Sequence, residues 1–96
     1  MITHIVLFKW KEGVTEEQIS KIFAEIQLLK GKINGVVDVV SGKNFSEWGN
    51  GYTHALVVLL RDKDALDSYR KDPRHTKIIA EIEKTEEKSI GIDFEV

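Results

Sequence analysis

The sequence predicts an α+β fold with ferredoxin-like topology, a four-stranded antiparallel sheet carrying its helices on one face, and three observations lead there. Apolar residues change their spacing along the chain from near two to near 3.6 and back again. The resulting order is strand, helix, strand, strand, helix pair, strand, and two right-handed crossovers in that order put both helical layers on the same side of the sheet. Two of the strands are also apolar on both faces, so a sheet covered by helices on one side still has a second side to bury.

Each element has a local cause. Ile2 to Trp10 is rich in β-branched and aromatic residues and reads as a strand, broken by Gly13. Thr15-Glu16-Glu17-Gln18 is a capping box, with Val14 and Ile19 placed as its hydrophobic staple. Ile19, Ile22, Phe23, Ile26, Leu29 and Ile33 then recur at helical spacing, with Glu16 and Glu17 at the start and Lys30 and Lys32 near the end. Asn34-Gly35 stops that helix. Val36 to Val40 is a short β-branched run ended by Ser41-Gly42, Lys43 to Gly51 reads as a loop, and Tyr52 to Leu60 is a strong strand. Asp62 or Asp64 can cap a short helix through Ala65, Leu66 and Tyr69. Pro73 ends it and opens another, running to about Lys84 with Ile78, Ile79 and Ile82 on its apolar side. From Ser89 to Val96 the pattern alternates, with Ile90, Ile92, Phe94 and Val96 facing one way and Asp93 and Glu95 the other.

The two-faced strands carry the first functional expectation. In the first, Val6, Phe8 and Trp10 share one face and Ile5 and Leu7 the other; in the third, Leu56, Val58 and Leu60 oppose Ala55, Val57 and Leu59. A strand covered on one face alternates, whereas a near-continuous apolar run has both faces buried. The economical cover is the same sheet from a second copy, a homodimer joined through the sheet faces. The plainer alternative is that central strands are simply more apolar.

Composition removes several classes of function. The 96 residues read as a single domain, 1–96, and a chain 42% hydrophobic and 31% charged is globular. A formal charge of −2, with Lys and Arg interspersed among acids, gives no basic field for nucleic acid. No apolar run approaches the roughly 18–20 residues of a membrane helix, and the start lacks the basic and small-residue signature of a signal peptide. No membrane partner and a cytoplasmic location are therefore expected. With no cysteine, disulfides, thiol nucleophiles and cysteine zinc sites are excluded together.

Three histidines, His4, His54 and His75, are the groups whose ordinary pKa lies near neutrality. His4 and His54 sit within the most apolar strands, where an imidazole is either a hydrogen-bonded core residue or a pocket residue. His75 follows Asp72-Pro73-Arg74, six residues after Tyr69, whose phenol can donate to a carbonyl or an oxyanion. A phenol and an imidazole can serve as acid and base in enolate chemistry. Equally, Tyr69 can pack on the first helix with its hydroxyl wet while His75 caps the next. Absence of a His-x-x-x-His pair leaves no zinc motif, and no metal or cofactor is expected. Gly49-Asn50-Gly51 lacks the setting of a phosphate loop, and the serines lack a nucleophile elbow. Glu81, Glu83, Glu86 and Glu87, with Lys84 and Lys88, read as a solvated helix face.

Several of these residues stand in a pattern that resembles the stress-responsive α/β-barrel domain family, which includes plant olivetolic acid cyclase. The matching stretches are His4-Ile5-Val6-Leu7-Phe8-Lys9, Gly42-Lys43, Gly51-Tyr52-Thr53-His54, Tyr69 with Asp72-Pro73-Arg74-His75, and Ile92-Asp93-Phe94-Glu95-Val96. They span nearly the whole chain. The resemblance implies two ferredoxin-like protomers closing their sheets face to face into a dimeric α/β-barrel. It further implies a helix-side pocket for a hydrophobic or aromatic small molecule. By motif position, His75 would be the base that removes a proton between carbonyls and Tyr69 the group that holds the carbonyl oxygen in an intramolecular aldol cyclisation. His4 and His54 would hydrogen-bond the pocket, with Phe8 and Phe23 in contact with its contents. Some relatives hold a divalent ion on backbone carbonyls, which maps around Gln27, Lys30 and Ile33; such ligands leave no side-chain signature, and no ion is expected. Two functional readings remain, a small homodimeric binding protein and a cofactor-independent cyclase or lyase. They turn on space: a cavity of about 300 Å³ or more fits a ligand, whereas Phe8, Trp10 and Phe23 filling it would make the four residues part of the core.

Overall fold

The computed structural model describes residues 1–96. The chain runs β1 (Ile2–Trp10), α1 (Glu16–Gln27), a 3-10 turn (Leu28–Gly31), β2 (Val36–Lys43), β3 (His54–Leu60), α2 (Lys63–Lys71), α3 (Pro73–Thr85) and β4 (Glu86–Glu95). The sheet order is β2-β3-β1-β4 with antiparallel neighbours throughout, the ferredoxin-like topology expected from the element order.

The helix starts form as their caps dictate. The Thr15 hydroxyl accepts from the Gln18 amide at 3.2 Å and the Gln18 side chain accepts from the Thr15 amide at 2.8 Å. Ile19, Ile22 and Ile26 then turn inward. Apolar spacing continues to Ile33, but the α-helix ends at Gln27 and tightens into the 3-10 turn. That turn keeps Leu29 and Ile33 buried while the amides of Lys32 and Ile33 both donate to the Leu29 carbonyl at 3.0 Å. Asp62 caps α2 by accepting from the Ala65 amide at 2.8 Å. Gly35 sits at φ +89°, a conformation that favours glycine, and a Cβ there would lie 2.5 Å from that of Ala65.

Strand limits depart from the sequence pattern at three places. β2 continues past Val40 to Lys43 because Ser41, Gly42 and Lys43 pair with Leu56, Ala55 and His54; the backbone ladder needs no apolar side chains. β3 begins at His54 rather than Tyr52. β4 begins at Glu86, so Glu86 and Glu87 are strand residues and not part of a solvated helix face.

Register divides the sheet into two unlike faces. Ile2, Phe8, Leu56, Val58 and Leu60 face the helices and are buried with Ile22, Ile26, Ile78 and Ile82. On the other face Ile5 lies between Val57 and Ile92, and Leu7 between Ala55 and Ile90. Val40 extends this apolar surface beside Val57, and Phe94 extends it beside Thr3. Ile90, Ile92 and Phe94 are 41–46% exposed, so this face is uncovered in the single chain.

Candidate functional site

The helix break at Asp72 builds the site. Asp72 is extended (φ −64°, ψ 129°), ending α2 and capping α3 by accepting from the Arg74 amide at 2.9 Å. The Arg74 guanidinium also grips the Asp72 carboxylate, at 2.9 and 2.8 Å. These side-chain and backbone hydrogen bonds hold that carboxyl down at about 2. Because the chain turns here, Tyr69 in the last turn of α2 meets His75 in the first turn of α3, with ring centres 4.3 Å apart.

Tyr69 is 1% exposed, and burial pushes its phenol up to about 12, so it is a hydrogen-bond donor throughout the neutral range. Burial lowers the His75 pKa, against the contrary pull of its contact with the Arg70 carbonyl. That contact, 3.4 Å from Nδ1, puts the proton on Nδ1 because a carbonyl can only accept, and it leaves the Nε2 lone pair available. His4 lies edge-on to Tyr69, with ring centres 6.1 Å apart, and its Nδ1–H donates to the Asp93 carboxylate. Arg70 of α2 donates to the other Asp93 oxygen, so one carboxylate joins β4, β1 and α2. Burial raises the Asp93 carboxyl, but the hydrogen bond and charge of His4, together with Arg70, outweigh it and hold the group below the ordinary carboxylate range.

His4, Tyr69 and His75 share one cavity of about 190 Å³ between sheet and helices, walled by Phe8, Ile26, Leu56, Ile78, Ile79 and Ile82. The structure thus brings three of the four predicted polar residues together, with Phe8. It places His54 and Phe23 beside them in a separate aromatic cluster. There Trp10 stacks on Phe8 at 4.9 Å, and Phe23 lies 5.8 Å from Phe8 and 5.9 Å from His54. His54 is 5% exposed. Its Nδ1 accepts from Trp10 Nε1–H at 3.0 Å, with the Thr53 hydroxyl 2.9 Å from the same nitrogen, which leaves the ring proton on Nε2, 3.6 Å from Glu16. The outcome lies between the two expectations about space. Trp10 and Phe23 fill the His54 end, and a cavity below 300 Å³ persists at the Tyr69 end.

Two partners of this site, Arg70 and Glu86, were not legible as site residues. Asp93 had half a signal: the β4 alternation sets it opposite the apolar residues, and its pairing with His4 is what turns that side toward the helices. No group of three or more His, Asp or Glu is gathered as a metal cluster. Among the carbonyls to which the resemblance assigns an ion, that of Ile33 already accepts from the Val36 amide at 3.3 Å.

A ferredoxin-like protomer with one apolar sheet face uncovered, and a phenol and an imidazole sharing a cavity on the covered side, defines a class of small barrel-forming domains. This chain belongs to the stress-responsive A/B barrel domain family, whose model matches residues 2–96. It is 28% identical to olivetolic acid cyclase of Cannabis sativa over 76 residues, 77% of this chain and 75% of that protein. A dimeric ferredoxin-like protein of unknown function from Thermobifida fusca has the same fold, with a TM-score of 0.85 at 24% identity, covering 99% of this chain and 90% of that one. So does a hydroxynitrile lyase from Passiflora edulis, with a TM-score of 0.91 at 18% identity, covering 99% and 92%.

Proposed function

We propose that the chain works as a homodimer joined through its open sheet faces, each protomer holding a small apolar or aromatic carbonyl compound in the helix-side cavity. The observation that carries this reading is that Tyr69 and His75 face one cavity in complementary states. At neutral pH the phenol donates and the imidazole nitrogen accepts. A ligand carbonyl oxygen takes the Tyr69 hydrogen bond, and an acidic C–H or O–H beside it faces His75 Nε2. Size sets the class of ligand. An engineered apolar cavity of about 150 Å³ holds benzene, so 190 Å³ suits one ring with a few substituent atoms. Support for the dimer comes from the uncovered apolar face and from the dimeric T. fusca relative.

Titration with acetophenone, followed by backbone amide NMR, tests the cavity. Shifts centred on Tyr69 and His75, with affinity about tenfold weaker in Tyr69→Phe for the loss of one buried hydrogen bond, are expected. Equal affinity in Tyr69→Phe overturns the assignment.

A cofactor-independent cyclase or lyase is the second reading, favoured by the anchoring of His4 by Asp93 beside Tyr69 and by the cyclase and lyase among the similar proteins. In the cyclase form, His75 Nε2 takes a proton from the carbon between two carbonyls and the resulting enolate attacks a further carbonyl of the same molecule. Tyr69 hydrogen-bonds the oxyanion that forms, and the His75 proton returns to that oxygen to give a β-hydroxy ketone. Acceleration of α-proton exchange in pentane-2,4-dione in D₂O, lost in His75→Ala, is the expected signature; exchange at the buffer rate rules this reading out.

A further inference from the structure

Glu86 belongs to the cavity through an irregularity in the sheet. In the β1–β4 ladder Phe8 pairs with Ser89 and Lys9 with Lys88, but Trp10 pairs with Glu86, because the register shifts by one residue after Lys9. Directly paired residues point to the same face. Continued alternation would turn Glu87 toward the helices; the bulge turns Glu86 there instead, and re-aiming a side chain is a recognised effect of such bulges beside sites. The Glu86 side chain lines the cavity, and its Oε2 is buried without a hydrogen-bond partner. A buried carboxylate oxygen is costly to leave unpaired, and in a native fold each such atom calls for an explanation.

We infer that Glu86 is a specificity residue of the cavity, accepting a hydrogen bond from a donor group on the bound molecule. The inference rests on the reading of the cavity as a carbonyl-binding site and narrows its ligand to a bifunctional one. A carbonyl meets Tyr69, an apolar ring lies against Ile26, Ile78 and Ile82, and a hydroxyl or ammonium group reaches Glu86. Register sets Glu86 beside Trp10, toward the opposite end of β1 from His4, so the two polar functions sit at different ends of the ligand. The remaining lining carboxylate, Glu83, is exposed and retains its water.

Three probes of similar shape test this: acetophenone, 4-hydroxyacetophenone and 4-(aminomethyl)acetophenone, titrated by calorimetry into the wild-type chain, Glu86→Met, Glu86→Gln and Tyr69→Phe. At least one para donor should bind the wild type about tenfold more tightly than acetophenone, and which one gains identifies the donor as hydroxyl or ammonium. Glu86→Met, which removes the acceptor and roughly keeps the volume, should abolish that preference and melt no lower than the wild type. Glu86→Gln keeps a neutral acceptor and should retain part of it, and this variant serves if the methionine does not fold. Tyr69→Phe should weaken all the probes by the same factor and leave the preference intact. Lack of any donor preference in the wild type, or an unchanged preference in both Glu86 variants, overturns the inference. If acetophenone binding nonetheless depends on Tyr69, the cavity reading survives that result; if no probe binds, both fall.

Discussion

The two faces of the sheet are built from nearly the same residues and meet different fates. Toward the helices, Ile2, Phe8, Leu56, Val58 and Leu60 are covered by α1, α2 and α3. On the reverse side Ile5, Leu7, Val57 and Leu59 are only half-buried, and Ile90, Ile92 and Phe94 stand open. The covered face admits polar groups where each finds a partner or a cavity, as at His4, His54 and Tyr69. The open face admits almost none along β1 and β3, which is how a surface meant for another apolar surface is composed.

Substitution on the open face is the strongest way to break that contrast. Val57→Asp sets a carboxylate in the middle of the proposed contact, where burying an unpaired charge costs several kcal/mol. Light scattering at micromolar concentration should change from the mass of two chains to that of one, with helical circular dichroism retained. A two-chain mass in the variant places the joint elsewhere.

On the covered face, His54→Ala leaves the Trp10 N–H without its ring acceptor. A loss of about 1–3 kcal/mol in denaturant unfolding is expected, with acetophenone affinity changed by less than about twofold because His54 stands outside the cavity lining. A tenfold affinity loss would join His54 to the ligand site and erase the distinction between the two ends of this face.

Smaller effects come from titration. The His75 pKa in the fold lies below its ordinary 6.5, so the unfolded chain binds the proton more readily. The stability His75 contributes is therefore fully present above pH 6.5 and is lost as pH falls through 6.5 toward the folded value. Melting temperatures of wild type and His75→Gln should converge on acidification; a gap independent of pH contradicts the burial assigned to this ring. The carboxylate of Asp72, lowered to about 2 by Arg74, gives the weakest signal. Its contribution is present above the ordinary 3.8 and fades as pH falls toward 2, so Asp72→Asn should flatten the acid limb of the unfolding curve only there.

What could be read from the sequence is what depends on neighbours along the chain. Thr15, Asp62 and Pro73 open their helices as their side chains require, because capping acts within one turn. The extension of β2 and the start of β4 depend on pairing with distant strands, and no local pattern records that. The same division holds within the site. Tyr69 and His75 announce themselves by residue type, and Pro73 marks the break that lets them meet. Glu86 does not, because its direction depends on a single extra residue in the ladder.

That extra residue is also slack. β4 must satisfy two fixed points, Glu86 beside Trp10 and Asp93 beside His4, with one residue more than a regular ladder needs between them. Loss of a residue anywhere in this interval can be absorbed by straightening the bulge, so both fixed points keep their places. Removal of Glu87 or of Lys88 does so without turning any paired side chain to the wrong face. An inserted residue finds no such reserve. The length of this strand is thus free to shrink by one and closed to growth, a one-sided tolerance that a scan of single deletions and insertions through β4 would reveal.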